Sequence, residues 1–225
     1  MQRKLFNELS SQFTYLGAFS LKKIVLGVLA STKGTDLQAV IDAIEAGELD
    51  AKIACVVSNK KDAFALERAK SNGIEAIFLD PAGFASKEEY DEKLAMLLNE
   101  RKVELVLLIG YNKFLSKPFI NAFRNRAMNI HPSLLPAFKG WDHNVHADVL
   151  KAGVKESGCT LFFVDEDPDA GPVILQKKVR VAKGETVESL KEKVQGAEQE
   201  VILKAIKLFA CGKINVEGKK VRIFE

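Results

Sequence analysis

The stretch KIVLGVLASTKGTDLQAVIDAI (23–44) joins an apolar run to a helical pattern through a short polar loop. Its first part, KIVLGVLA (23–30), is apolar at almost every position, which is typical of a strand that is buried on both faces. Farther along, Leu37, Val40 and Ile41 are spaced as one face of an α-helix. A buried strand followed by a helix is the unit from which a parallel sheet with helices on both sides is built.

The same alternation continues through the first half of the chain. Three more apolar runs are predicted to be strands: AKIACVVS (51–58), EAIFLD (75–80) and VELVLLIG (103–110). Helical patterns occupy 62–73 and 86–102, and the second of these opens with a serine cap. We therefore expect an α/β fold with a doubly wound, mostly parallel sheet, in which ligands bind beyond the carboxyl ends of the strands.

The second half of the chain mixes strands with fewer helices. Strands are predicted for RAMNIH (126–131), CTLFFVDED (159–167) and VILQKKVRV (173–181). A helix is predicted near 145–152, and a long amphipathic helix over 185–208. The sequence contains no internal repeat and no linker.

We therefore expect one continuous domain over residues 23–225, with two lobes and a central cleft. Residues 1–22 precede the first strand, and the helical spacing of their apolar residues predicts an N-terminal helical extension. A cleaved organelle leader is the less favoured alternative, since Glu8 interrupts the basic character of the segment. Within the domain, residues 23–122 form one predicted half and residues 123–225 the other.

Composition and charge exclude several classes of protein. The 225 residues include 33 Lys and Arg against 30 Asp and Glu, and a net charge of +3 does not favour a nucleic-acid or membrane surface. The three cysteines are far apart in sequence, as expected of reduced thiols. No apolar run reaches the roughly 18 residues that span a bilayer. We expect a cytoplasmic monomer or homodimer that acts on small molecules, without nucleic-acid or membrane partners.

The segment NIHP (129–132) carries the first candidate catalytic side chains. In a strand, residues two apart point to the same face, so Asn129 and His131 would project together and Ile130 would enter the core. An amide can stabilise a developing oxyanion, and a histidine can move a proton near neutral pH. A polar strand end with purely structural hydrogen bonds is the alternative.

Two polar loops are further candidates. The acidic turn DEDPDAGPVI (165–174) could place a carboxylate beside a histidine, or could simply be a solvated turn. The loop STKGTDLQ (31–38) precedes a helix whose N-terminus could bind a phosphate. Alternatively, Thr35 or Asp36 caps that helix and no ligand is involved.

The three histidines, His131, His143 and His146, fall within a short window, which makes a metal site conceivable. Asp142 is the only carboxylate close to His143 and His146 in sequence. We therefore expect no bound catalytic metal.

Four segments together resemble the folate-dependent formyltransferase family: GTDLQAVIDAI, VVSNKKDAFALERAKSNGI, NIHPSLLPAFKG and DEDPDAGPVILQ. The most specific signal is NIHPSLLP followed, 38 residues after its histidine, by the aspartate of DAGPVILQ. The resemblance extends from Lys23 to about Leu208. It implies that the chain transfers a formyl group from 10-formyltetrahydrofolate, as co-substrate, to the amine of glycinamide ribonucleotide in purine synthesis.

The resemblance also implies roles for individual residues. The catalytic trio would be Asn129, His131 and Asp169. The nucleotide would be bound at its phosphate by Gly34, Thr35 and Asp36, with Lys87 and Glu198 near the phosphate and ribose. The walls of the pterin site would be two segments, consisting of Tyr111, Asn112, Lys113, Phe114 and Leu115 and of Val164, Asp165, Glu166 and Asp167.

Four positions depart from the family pattern. Asp36 stands where asparagine is common, which puts a carboxylate near a phosphate. Lys87 replaces an arginine and so lacks the bidentate fork. Asn112 stands where an apolar residue commonly contacts the folate, and Phe162 where many members have a second histidine. The trio itself is intact.

Other functions share this pattern. A sugar-nucleotide formyltransferase would use the same trio but usually carries added C-terminal structure, and a methionyl-tRNA formyltransferase needs an RNA-binding domain. A hydrolase that releases formate from formyl-folate would also share the fold and the trio, but relatives with that activity carry an additional regulatory domain. A catalytically silent folate- or nucleotide-binding protein is the alternative from another class, and the intact trio argues against it.

Overall fold

The computed structural model describes residues 23–140 and 144–224. The nine described strands are β1 (Ile24–Leu29), β2 (Ala51–Ser58), β3 (Glu75–Phe78), β4 (Leu105–Leu108), β5 (Ala127–His131), β6 (Glu156–Phe163), β7 (Val173–Arg180), β8 (Ile214–Glu217) and β9 (Lys220–Ile223). The six described α-helices are α1 (Thr35–Glu45), α2 (Phe64–Ser71), α3 (Lys87–Glu100), α4 (Lys117–Ala122), α5 (Val145–Lys151) and α6 (Val187–Ala210). The predicted helix within residues 1–22 lies outside the described residues.

Seven strands form one sheet in the order β3-β2-β1-β4-β5-β6-β7. The first five of these strands pair in parallel, whereas β6 pairs antiparallel with both β5 and β7. The chain builds outward from β1 to β3 and then returns to β4 on the other side of β1. This reversal opens a crevice at the carboxyl ends of β1 and β4, where doubly wound folds bind their ligands. The predicted α/β class is confirmed.

Both faces of the sheet are buried beneath helices. Leu37, Leu66 and Ile202, from α1, α2 and α6, belong to the apolar cluster on one face. Leu94 of α3 and Phe119 of α4 belong to the cluster on the other face. This double cover explains why β1, β2 and β4 are almost continuously apolar. None of the helices in the described part of the chain is both long enough and apolar enough to cross a membrane.

Three features differ from the prediction. Strand β6 covers Glu156–Phe163 instead of 159–167, because the acidic residues after Phe163 form a loop and the strand's start pairs with the end of β7. Helix α4, over Lys117–Ala122, was not predicted, since six residues are too few to show a helical period. The hairpin of β8 and β9 was also not predicted. Its two strands have only four residues each.

The ends of two helices decide the capping alternatives. In α3 the hydroxyl of Ser86 accepts a hydrogen bond from the backbone N–H of Glu89 at 3.0 Å, as predicted. In α1 the N-cap is Gly34, in the left-handed conformation with φ of 63°, and no side chain caps the helix. A cap by Thr35 or Asp36 is therefore wrong, because both residues already belong to the first turn.

Candidate active site

A cavity of about 360 Å³ opens at the carboxyl ends of β4 and β5. It contains the whole predicted trio, Asn129, His131 and Asp169, which comes from two distant segments of the chain. It is also lined by both predicted pterin walls, Tyr111–Leu115 and residues 164–167. Strand β5 supplies Asn129 and His131, and the loop after β6 supplies Asp169.

Strand β5 presents Asn129 and His131 to the same cavity, as their spacing predicts. His131 is buried, with 5% of its surface exposed, and Asn129 is half-buried. Ile130 packs against the apolar core but also lines the cavity, so its predicted place in the core is only part of its environment.

The loop after β5 is held by hydrogen bonds from the next two strands of the sheet, β6 and β7. Thr160, which lies opposite His131 in β6, donates its hydroxyl to the carbonyl of Ser133 at 2.7 Å. The same hydroxyl oxygen accepts from the N–H of Leu135 at 2.9 Å. Gln176 of β7 donates to the carbonyl of Leu135, also at 2.9 Å. These contacts fix the backbone immediately after His131.

The imidazole of His131 is held on two sides. Its Nε2 atom lies 2.9 Å from the carbonyl oxygen of Phe138, an acceptor, so Nε2 carries a proton. Its Nδ1 atom lies 3.8 Å from Oδ2 of Asp169. The side chains of His131 and Asp169 are only 6% and 10% exposed, so a charge on either of them is poorly screened by water.

The loop that carries Asp169 is tied to the C-terminal hairpin. Lys219, in the turn between β8 and β9, donates to Oδ2 of Asp165 at 2.7 Å and to the carbonyl of Ala170 at 3.2 Å. The hydrogen bond from Lys219 lowers the pKa of Asp165. At the end of the loop a Cβ atom on Gly171 would lie 1.7 Å from the carbonyl oxygen of Phe163, so only glycine fits there.

The predicted nucleotide-binding residues do not line this cavity. Gly34, Thr35 and Asp36 lie at the start of α1, Lys87 is the first residue of α3, and Glu198 lies in α6. The backbone before Gly34 is fixed in place, because the side chain of Arg68 donates to the carbonyl of Lys33 at 2.8 Å and the N–H of Ala65 donates to that of Thr32 at 3.2 Å.

Asp36 and Glu198 are brought together in the interior. Asp36 is 7% exposed, and its Oδ1 atom has no hydrogen-bond partner in the described part of the chain. Burial raises the pKa of Asp36 to about 6, although a hydrogen bond with Gln199 acts in the opposite direction. Burial, followed by the charge of Asp36, raises the pKa of Glu198 well above its ordinary value. Two carboxyl groups that are buried together cannot both ionise readily, because each charge disfavours the other.

Sequence reasoning missed several residues of the cavity. Thr32 and Asn144 line it, and their only sequence signal is their place in loops that precede helices. His146 also lines it, although it was considered only as a metal ligand. Burial, together with the charge of Lys191, lowers the pKa of His146. Its Nδ1 atom is buried and has no hydrogen-bond partner among the described residues.

Among residues 23–140 and 144–224, no group of three or more His, Cys, Asp or Glu side chains could hold a metal ion. Asp142 and His143 lie outside the described residues. The cysteines are all free, and burial raises the pKa of Cys55 to about 11 and that of Cys159 to about 12. Those two thiols are therefore protonated at neutral pH and unreactive.

Several known proteins resemble this chain over most of its length. A phosphoribosylglycinamide formyltransferase of Haemophilus influenzae is 38% identical over 198 residues, which are 88% of this chain and 91% of that protein. The trifunctional purine biosynthetic protein adenosine-3 of Gallus gallus is 40% identical over 200 residues. The match covers 89% of this chain but 20% of that protein, so the chain spans about one fifth of the length of such trifunctional relatives.

A solved structure shares both the fold and much of the sequence. The glycinamide ribonucleotide transformylase 1 of Symbiobacterium toebii superposes with a TM-score of 0.86 at 43% identity. The superposition covers 91% of this chain and 95% of that one. The sequence profile described as "Formyl transferase" matches residues 22–206, most of the chain, and the chain therefore belongs to the formyl transferase family.

Proposed function

We propose that this enzyme transfers the formyl group of 10-formyltetrahydrofolate to the primary amine of glycinamide ribonucleotide, a step of purine synthesis, in the cytoplasm. The observation that carries the proposal is the meeting of Asn129, His131 and Asp169 in one cavity with both pterin walls. Relatives that are named for this reaction and match over most of their length support the choice of substrate.

The chemistry follows from the trio. The substrate amine attacks the formyl carbon, which gives a tetrahedral intermediate with a negative oxygen and a positive nitrogen. The amide of Asn129 can donate a hydrogen bond to that oxygen, and protonated His131 can stabilise its charge. Asp169, at 3.8 Å, would stabilise the positive ring and hold its orientation.

Collapse of the intermediate breaks the bond between the formyl carbon and the folate nitrogen. A proton must pass from the attacking amine to that leaving nitrogen, through His131 or through an ordered water molecule. The new carbon–nitrogen bond remains on the ribonucleotide, and tetrahydrofolate is released. These steps need neither a metal nor a covalent intermediate with the enzyme.

The nucleotide would bind at the start of α1. The first turn of a helix has free backbone N–H groups and a favourable dipole, so Gly34, Thr35 and Asp36 can offer donors to a phosphate. Lys87 would add a positive charge, and Glu198 would lie near the ribose. The burial of the Asp36 side chain against α6 reduces the conflict between its carboxylate and the phosphate.

The folate would lie against Tyr111, Asn112, Lys113, Phe114 and Leu115 on one side. On the other side it would contact Val164, Asp165, Glu166 and Asp167. Phe114 lines the cavity and is half exposed, so its ring is available to stack against the aromatic ring of the folate.

The test is an assay with 10-formyltetrahydrofolate and a panel of amines, in which the release of tetrahydrofolate is followed. Release that requires glycinamide ribonucleotide is expected. Release with an amino-sugar nucleotide instead would reassign the acceptor. Release without any amine would indicate a hydrolase, and no release at all would indicate a silent binding protein.

A further inference from the structure

Three polar side chains form a closed ring of hydrogen bonds where strands β1, β2 and β4 end. The hydroxyl of Ser31 donates to Oδ1 of Asn59 at 2.5 Å, and Nδ2 of Asn59 donates to Oδ1 of Asn112 at 2.9 Å. The backbone N–H of Asn112 returns a hydrogen bond to the hydroxyl oxygen of Ser31 at 2.9 Å. Every bond points in the same direction around the ring, and the Ser31 hydroxyl and the Asn59 amide each accept one bond and donate the next, so those bonds polarise one another.

The backbone around this ring is packed closely. The N–H of Ser31 donates to the carbonyl of Gly110 at 3.2 Å. Gly110 has a φ of 59°, and a Cβ atom there would lie 2.4 Å from Oγ1 of Thr32. The segment after β1 therefore cannot move without disturbing the segment after β4.

The ring lies between the two proposed substrate sites. Ser31 begins the loop that ends at Gly34, the N-cap of α1, where the phosphate would bind. Asn112 lies in the folate wall Tyr111–Leu115 and lines the cavity. Asn59 follows β2 and belongs to neither proposed site, since it does not line the cavity. Its side chain nevertheless forms hydrogen bonds with Ser31 in the loop after β1 and with Asn112 in the loop after β4.

We propose that Asn59 is a positioning residue that couples the two substrate sites, so that binding of either substrate strengthens binding of the other. The inference rests on the proposed function, since it needs both sites. It also gives a reason for asparagine at position 112, a departure from the family pattern, because the side-chain oxygen of Asn112 accepts the hydrogen bond from Asn59. Coupling of this kind is reciprocal and typically changes an affinity about 5–150-fold.

The test is calorimetric titration of the full chain with glycinamide ribonucleotide, alone and in saturating tetrahydrofolate. Tetrahydrofolate carries no formyl group, so the ternary complex cannot react. In wild type we expect saturating tetrahydrofolate to raise the affinity for glycinamide ribonucleotide at least about 5-fold. In Asn59→Ala this factor should fall to nearly 1, while the affinity for either ligand alone changes less than about 3-fold.

Two further variants make the test specific. Ser31→Ala removes the hydroxyl that takes part in two of the three bonds, so it should also abolish the coupling. This variant replaces Asn59→Ala in the test if Asn59→Ala does not fold. Asn99→Ala changes an exposed asparagine in α3 and should keep the wild-type factor. A loss of stability alone would not change the ratio of two affinities measured on folded protein.

Two results would overturn the inference: no coupling in a wild type that binds both ligands, or wild-type coupling in both Asn59→Ala and Ser31→Ala. Either of them leaves formyl transfer standing. A wild type that neither binds nor formylates glycinamide ribonucleotide would instead overturn the proposed function, and the inference with it.

Discussion

Oδ2 of Asp169 lies 3.8 Å from Nδ1 of His131 and also accepts a hydrogen bond from the N–H of Gly140 at 3.2 Å. One carboxylate oxygen therefore joins the loop after β6 to the segment that follows β5. Asp169 has a φ of 50°, in the left-handed region, which aspartate and asparagine tolerate better than most residues. Aspartate therefore meets two requirements at this position: it supplies the negative charge, and it tolerates the left-handed backbone conformation.

This geometry makes Asp169→Asn an informative variant of the trio. Asparagine keeps the shape and tolerates the left-handed backbone, but it removes the negative charge beside His131. We expect Asp169→Asn to lower kcat about 10²–10⁴-fold, which is the usual contribution of a group in acid–base catalysis. His131→Ala should lower kcat by a similar factor. Steady-state kinetics on protein of wild-type stability provide the measurement. Asp62→Asn, on the exposed surface, is the control, and wild-type turnover in folded His131→Ala would contradict the mechanism.

Removal of metal ions should leave the activity unchanged. Each proposed catalytic role is filled by a side chain, namely Asn129, His131 or Asp169. The measurement is turnover before and after extensive dialysis against a chelator, together with metal analysis of the active protein. Stoichiometric zinc whose removal abolishes turnover would refute this prediction.

Lys87→Ala should mainly raise KM for glycinamide ribonucleotide. The lysine would act as a point charge on the phosphate in both ground and transition states, so kcat should change little. The affinity for folate should stay the same, and inorganic phosphate should compete with the ribonucleotide only. Lys93→Ala, an exposed lysine of the same helix, is the matched control. An unchanged KM in Lys87→Ala would remove Lys87 from the phosphate site.

Asp36→Asn should stabilise the fold at high pH but not at low pH. Burial raises the pKa of Asp36 from 3.8 to about 6, so between these values the folded state keeps a proton that the unfolded chain has lost. Stability contributed by the neutral form is therefore present below pH 3.8 and falls as pH rises to about 6. Asparagine does not titrate, so the free energy of unfolding of Asp36→Asn should exceed that of wild type increasingly as the pH rises from 3.8 to about 6. Above pH 6 the difference should be on the order of 2–3 kcal/mol.

Urea unfolding of wild type and Asp36→Asn at pH 4 and pH 8 measures this difference. The titratable groups around Asp36 are Glu198, Cys159 and Lys191. The substitution removes the Asp36 charge that helps to raise the pKa of Glu198 and of Cys159, so part of the pH dependence passes through these two neighbours. An equal difference in unfolding free energy at the two pH values would show that the carboxyl of Asp36 is not the group that titrates.

The alternation of strands and helices could be predicted because hydrophobic periodicity is a local property. β2 was predicted at the residues it occupies, and β1, β3 and α3 within one or two residues of theirs. Elements that are too short to show a period, such as α4 and the hairpin of β8 and β9, were missed. The spacing of Asn129 and His131 predicted that they share one face of a strand, whereas only the family resemblance singled out Asp169 within the acidic turn.

By itself, the sequence determined the α/β class and the family, because both are encoded in contiguous segments, and it predicted the residues proposed here to carry the chemistry. Only the tertiary structure decided which distant polar groups meet. It buried Asp36 against Glu198 instead of leaving it to cap α1, and it linked Ser31, Asn59 and Asn112 across three strand ends. The physical reason is that a parallel sheet brings the carboxyl ends of strands to one edge, whatever their separation along the chain.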